Sequence, residues 1–130
     1  MPLPNGTGGY QYSDGNLGEP LLLIQAAPTA LTAAATLTAA QLSNGLFTYN
    51  GAAVNLTLPT VADLEAFVSS AEKNDVAFDF YIINTGANTA TLVVGTGWTI
   101  VGAAGVATAV SAHFRARKTG VGSWTCYRMG

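Results

Sequence analysis

Cysteine occurs once, at Cys126, histidine once, at His113, and charged side chains make up only 9% of the chain. A lone cysteine excludes an internal disulfide framework, and one histidine with one cysteine cannot supply a zinc tetrad. No Asp/Gly loop has the spacing of a calcium site, so neither metal nor cofactor is expected. No apolar run approaches the roughly 18–20 residues of a membrane span. The longest, Leu21–Ile24 and Ile100–Val110, are short or broken by glycine. A basic stretch followed by an apolar core is missing from the start of the sequence, so no secretory signal is expected. The single thiol fits synthesis in a reducing cytosol.

The shortage of charge carries the most information. Soluble domains hold roughly 25% charged residues. Here five cations and seven anions leave a net charge of −2. A free monomer built this way has weak colloidal protection, whereas interface cores are depleted of charge. The composition therefore favours a chain covered by partners, either copies of itself in an oligomer or a larger assembly. Nucleic acid is disfavoured, because phosphate binding needs more cations than these, and no membrane contact is expected.

What the chain does have is strand pattern. In 130 residues, enough for one domain with one core, Val76–Gly102 is the most strand-like stretch. Val76, Phe78, Phe80 and Ile82 share one face of a period-2 ribbon, and Ala77, Asp79, Tyr81 and Ile83 share the other. Asn84–Asn88 supplies turn residues that tolerate positive φ, so Thr91–Val94 is expected to return antiparallel. With both faces this apolar, the expectation is a central hairpin covered on both sides.

Before it, Met1–Pro28 reads as an extended N-terminal arm, rich in Gly, Pro, Asn and Ser, which is either a disordered terminus or a segment that orders only on a partner. Tyr10, Tyr12, Leu17 and Leu21, Leu22 and Leu23 give it apolar anchors for a partner. Its reach when extended is about 90 Å at about 3.3 Å per residue. Residues 29–130 then form the domain. Ala33–Thr38 reads as a first strand, and Thr38 caps a single helical turn ended by Asn44-Gly45. Leu46–Tyr49 and Val54–Leu58 are short strands flanking the turn pair Asn50-Gly51. Thr60 caps a helix from Val61 to about Glu72, with Val61, Leu64, Val68 and Ala71, joined by Phe67, as its apolar stripe. Gly95–Gly97 turns the chain into Trp98–Val101. Ala109–Lys118 alternates Val110, Ala112, Phe114 and Ala116 against Ser111, His113, Arg115 and Arg117. Thr119–Ser123 turns it back into Trp124–Arg128. About eight short strands with one short helix predict a mainly β fold: a jelly-roll-like antiparallel β-sandwich or barrel.

Candidate chemistry is sparse. Cys126 and His113 suggest a nucleophile and base with Asp79 as the orienting group, but no nucleophile elbow surrounds Cys126, and no catalytic site is expected. Four of the five cations, Arg115, Arg117, Lys118 and Arg128, fall on two strands that should pair. They read either as a solvated sheet edge or as a contact patch for an acidic partner surface. Exposed Tyr10, Tyr12, Tyr49, Trp98 or Trp124 would suit stacking on carbohydrate, although core packing suits both tryptophans better.

The succession LTAAQLSNGLFTY, NLTLPTVADLEAF, FDFYIINTGANTATLVVGTGWTIVG and FRARKTGVGSWTCYRM, spanning Leu37–Met129, resembles capsid decoration (cement) proteins of tailed bacteriophages. Similar blocks occur in phage head-fibre and tail-fibre proteins. The resemblance implies a jelly-roll-like domain on the outer capsid surface of the virion. There it would cross-link subunits of the major capsid protein as a dimer or trimer, without catalytic or cofactor residues. The fibre alternative implies a module that binds a host receptor or a carbohydrate.

Overall fold

The computed structural model describes Pro20 and residues 22–130; the arm anchors Tyr10, Tyr12, Leu17 and Leu21 lie outside the described residues. Ten strands and two short helices follow in chain order. They are β1 (Thr29–Leu31), β2 (Ala35–Thr36), α1 (Ala39–Asn44), β3 (Leu46–Tyr49), β4 (Val54–Thr57) and α2 (Val61–Phe67). After these come β5 (Ala77–Asn84), β6 (Ala90–Val93), β7 (Trp98–Val101), β8 (Gly105–Val106), β9 (Ser111–Gly120) and β10 (Ser123–Arg128). Two sheets result, one of six strands in the order β1-β3-β5-β9-β10-β7 and one of four in the order β2-β4-β6-β8. Among the described residues, no helix is long and apolar enough to cross a membrane.

The mainly β expectation holds, with two sheets over one core, but the pairing is mixed. From β1 to β9 each strand lies in the sheet opposite its predecessor. The chain thus winds in coils, and β1, β3 and β5 pair in parallel, as do β2, β4 and β6. β7 also pairs in parallel with β10, and among the described residues only the β5–β9, β9–β10 and β6–β8 ladders are antiparallel. The uniformly antiparallel winding of a jelly roll is therefore replaced by three stacked coils closed by an antiparallel cap, and the sheets do not meet as a barrel.

The expected hairpin of β5 with β6 does not form. Asn84–Asn88 carries the chain across the sandwich, and none of these residues has a positive φ. The buried Asn84 side chain makes the corner: its amide donates to the Asn88 and Val106 carbonyls at 2.7 and 2.9 Å, and its oxygen accepts from Gly86 N–H. Successive corners stack. Asn50 N–H donates to Leu31 O, Thr85 N–H to Tyr49 O, and the Asn88 amide to Gly51 O. At Gly51 a Cβ would stand 2.3 Å from Thr32 O, so only glycine lets the second coil lie this close to the first.

Alternation decides what is inside. Phe47, Tyr49, Phe80, Ile82, Phe114, Ala116 and Cys126 from the larger sheet meet Leu56, Ala90, Leu92 and Val106 from the smaller. Trp124 and Trp98 close one end, the Trp98 indole N–H donating to Pro59 O at 2.8 Å. Both helices begin where the hydroxyl caps predicted. Thr38 and Gln41 form a reciprocal capping box, Gly45 ends α1 at φ 79°, and Thr60 accepts from Asp63 N–H. α2 is shorter than its apolar stripe suggested. It stops at Phe67, which is exposed, because Val68 leaves helical geometry and turns the chain so that Ala71 packs inward.

Candidate functional site

Among the described residues, none covers one face of the six-stranded sheet. Strands β1, β3 and β5 of this face pair in parallel, and sheets built that way are ordinarily covered on both sides. The expectation that the Ala77/Asp79/Tyr81/Ile83 side of β5 is also buried is corrected: Tyr81 is 42% and Ile83 37% exposed. Strand register sets side chains in rows across this face. Leu46, Tyr81 and His113 form one row, and Thr48, Ile83 and Ser111 the next. On the other side of the Tyr81 row lie Asp79, Arg115, Tyr127 and Val101, and beyond them Ala77, Arg117, Thr125 and Thr99. Opposed side chains on one face are close enough to interact. Tyr81 stacks on His113 with centroids 4.5 Å apart.

The centre of the face is an ion network closed within the chain. Arg115 grips Asp79 with two nitrogens at 2.6 and 3.0 Å, and His113 Nε2 lies 3.0 Å from the same carboxylate. Arg117 donates to Asp75 at 2.5 Å and to the Tyr127 hydroxyl at 2.7 and 3.0 Å. Asp75 itself sits at φ 72°, its N–H held by Lys118 O.

The Arg115 guanidinium holds the Asp79 carboxyl down from its ordinary 3.8 to about 2; partial burial opposes the shift, and the His113 contact adds to it. A carboxyl that titrates lower when folded contributes stability above about pH 3.8 that is lost as the pH falls towards 2. The expected result is a melting temperature that drops across this window in the native protein. In Asp79→Asn that part of the drop should be missing, as differential scanning fluorimetry at stepped pH will read. Parallel curves for the two proteins contradict the pairing.

The cations do not form the patch predicted for an acidic partner. Arg115 and Arg117 reach the open face with their charges already matched. Lys118 does not reach it: it falls on the core side of β9, is 7% exposed, and lies 3.3 Å from Glu65 and 2.9 Å from the Ala71 carbonyl. Arg128 spends its guanidinium on the carbonyls of Gly130, Ala103 and Gly105. The solvated-edge reading fails as well, since β9 and β10 are interior strands and the edges of this sheet are β1 and β7. Alternation alone would have moved Lys118 out of the set. The carboxylate partners were not legible, because Asp79 and Asp75 lie 36 and 42 residues before their arginines.

Of the three groups weighed as a catalytic set, Asp79 lies beside His113 but Cys126 does not. The thiol is fully buried on the opposite face of the sheet, and burial pushes it up to about 12. It is inert there and out of reach of the imidazole. Among the described residues no group of three or more His, Cys, Asp and Glu side chains could hold a metal. Of the aromatics proposed for sugar stacking, Tyr49, Trp98 and Trp124 are core residues. The residues of this open face that the sequence reading missed are Tyr81 and Ile83, whose apolar character made them look like core. Leu22, Leu23 and Ile24 stand clear of the domain, at 77%, 85% and 101% exposure.

A shallow cleft of about 460 Å³ lies between the starts of the two helices, lined among others by Thr38, Thr57, Thr60, Asp63 and Thr96. Thr38 and Thr60 are engaged as caps there. No family model matches the chain, and no curated protein or solved structure matches it either.

Proposed function

We propose that this protein is a non-enzymatic structural component of a phage virion, decorating the outer capsid surface by binding across subunits of the major capsid protein. The observation that carries the reading is the uncovered six-stranded face. It presents apolar side chains around ion pairs that are already neutralised, a surface suited to contact with protein rather than to catalysis or to a polyanion. The low charge of the chain and the protruding Leu22–Ile24 triad support it in the same sense. The resemblance of Leu37–Met129 to cement proteins supplies the identity of the partner. Function follows from mass action: many copies that bind only the assembled lattice stabilise it by their binding free energy. The fibre reading is weaker, because both tryptophans serve the core.

The test adds purified protein to undecorated capsids and measures occupancy by co-sedimentation. Saturable binding with a raised capsid melting temperature is expected. Deleting Met1–Gly18 should lower occupancy; unchanged occupancy removes the arm from the mechanism. A full chain that neither binds nor stabilises capsids overturns the reading.

A further inference from the structure

We infer that the Leu22–Ile24 triad of one copy packs on the Leu46–Tyr81–Ile83 corner of the open sheet face of a second copy. This deepens the assembly role proposed above by naming the self-contact, and its test needs no capsid.

Three observations meet at this place. First, the triad is held out at a fixed point. The next residue, Gln25, donates from its side chain to the carbonyl and side-chain oxygens of Asn44 at 3.0 and 3.1 Å, and the Asn44 amide returns a bond to Ala27 O. Asn44 ends α1, one residue before Gly45, whose carbonyl accepts from Tyr81 N–H, and two before Leu46. The root of the arm is therefore fastened at the end of β3 that carries the corner. Yet the triad does not fold back onto it, since Ile24 is fully exposed beside its pinned neighbour.

Second, the corner is an apolar half-site lacking its other half. Tyr81 and Ile83 remain exposed, while the charges beside them are closed among Asp79, Arg115 and His113. Such a face asks for an apolar occupant, not a charged one, and the chain itself carries three uncharged, branched side chains that stand exposed.

Third, the chain continues for 21 residues before Leu22. Extended, these span about 70 Å at about 3.3 Å each, against about 24 Å for the width of a six-stranded sheet at about 4.8 Å per strand. A triad seated on a neighbour thus leaves enough chain to run across that neighbour's whole face. Stable interfaces remove about 800 Å² per partner, more than three side chains supply, so the face must join the contact. Two such contacts related by a two-fold axis close a dimer; a cyclic arrangement closes a trimer.

The experiment measures the mass of the purified full chain by sedimentation equilibrium. A multiple of 13.3 kDa is expected. Leu22→Asp/Leu23→Asp/Ile24→Asp on the arm, and separately Ile83→Asp on the face, should each return the mass to 13.3 kDa with an unchanged circular dichroism spectrum. Mixing Ile24→Cys with Ile83→Cys under mild oxidation should give a covalent dimer that neither variant gives alone. A monomeric native chain overturns the inference, and so does an oligomer that survives both charged variants. Cross-linking within a doubly substituted chain at monomer mass also overturns it, in favour of fold-back. Capsid binding by a monomeric native chain would leave the decoration reading intact while this inference fails; an oligomer that ignores capsids would do the reverse.

Discussion

Replacing Phe80 with alanine is expected to lower the unfolding free energy by about 3–5 kcal/mol. Phe80 is fully buried on β5, the strand that links the parallel coils to the antiparallel cap. Its ring stacks on Phe114 with centroids 5.3 Å apart and meets Phe47 edge-on at 6.4 Å. Phe78 touches it at 6.5 Å and passes the contact on to Trp124 at 5.8 Å. Truncation therefore removes the transfer free energy of one large ring and leaves a cavity walled by three aromatics. The surrounding ladders cannot collapse into it without breaking register. With a urea m-value of about 1.5 kcal/mol/M, the midpoint should fall by roughly 2–3 M. A change under about 0.5 kcal/mol would place Phe80 outside the core, at odds with burial of this size.

Lys118→Met is expected to cost about 2–4 kcal/mol, although it exchanges a charged residue for an apolar one of similar length. The ammonium is the hub of a small buried network. It donates to the carbonyls of Ala71 and Glu72 at 2.9 and 3.4 Å and pairs with Glu65 at 3.3 Å. The same Glu65 oxygen accepts from the Trp124 indole N–H at 3.1 Å. Methionine leaves the Ala71 carbonyl unpaired and a carboxylate at the rim of the core without its counter-ion. Glu65 keeps partial access to water, which holds the cost below that of a fully buried pair.

Adding Glu65→Gln should recover part of the loss, so the two changes are non-additive in a double-mutant cycle. Additive losses, or a stable single variant, would mean that the ammonium is hydrated rather than anchoring the segment after α2 to β9. Arg115→Met on the open face is the comparison: its pair with Asp79 is partly exposed, so at neutral pH its loss should cost less than that of Lys118, and it should remove the acid-side drop assigned to Asp79.

Much of the local structure could be read from residue order alone. The alternation in 76–83 and 109–118 correctly separated Phe80, Ile82, Phe114 and Ala116 from Asp79, Tyr81, His113 and Arg115. Thr38, Gly45 and Thr60 were read as helix boundaries from the hydrogen-bonding needs of the first and last turns, and the 119–123 turn between β9 and β10 from its glycines. These features depend on neighbours within a few residues, and short-range geometry carries them.

Sheet membership is different. A period-2 pattern says which side chains share a face, but not which strand lies alongside, and a five-residue turn closes a hairpin or crosses a sandwich equally well. At Asn84 that choice was made by a hydrogen bond to Val106, 22 residues away, on a strand of the other sheet. Likewise the four cations looked like a patch because their sequence neighbours carry no negative charge, while their partners come from distant segments. The residues themselves determined a charge-poor, β-rich chain with an apolar stretch at Leu22–Ile24. Only the coiled winding decided which carboxylates the arginines meet and that Tyr81 and Ile83 face outward, because pairing between strands far apart in sequence sets both burial and charge balance.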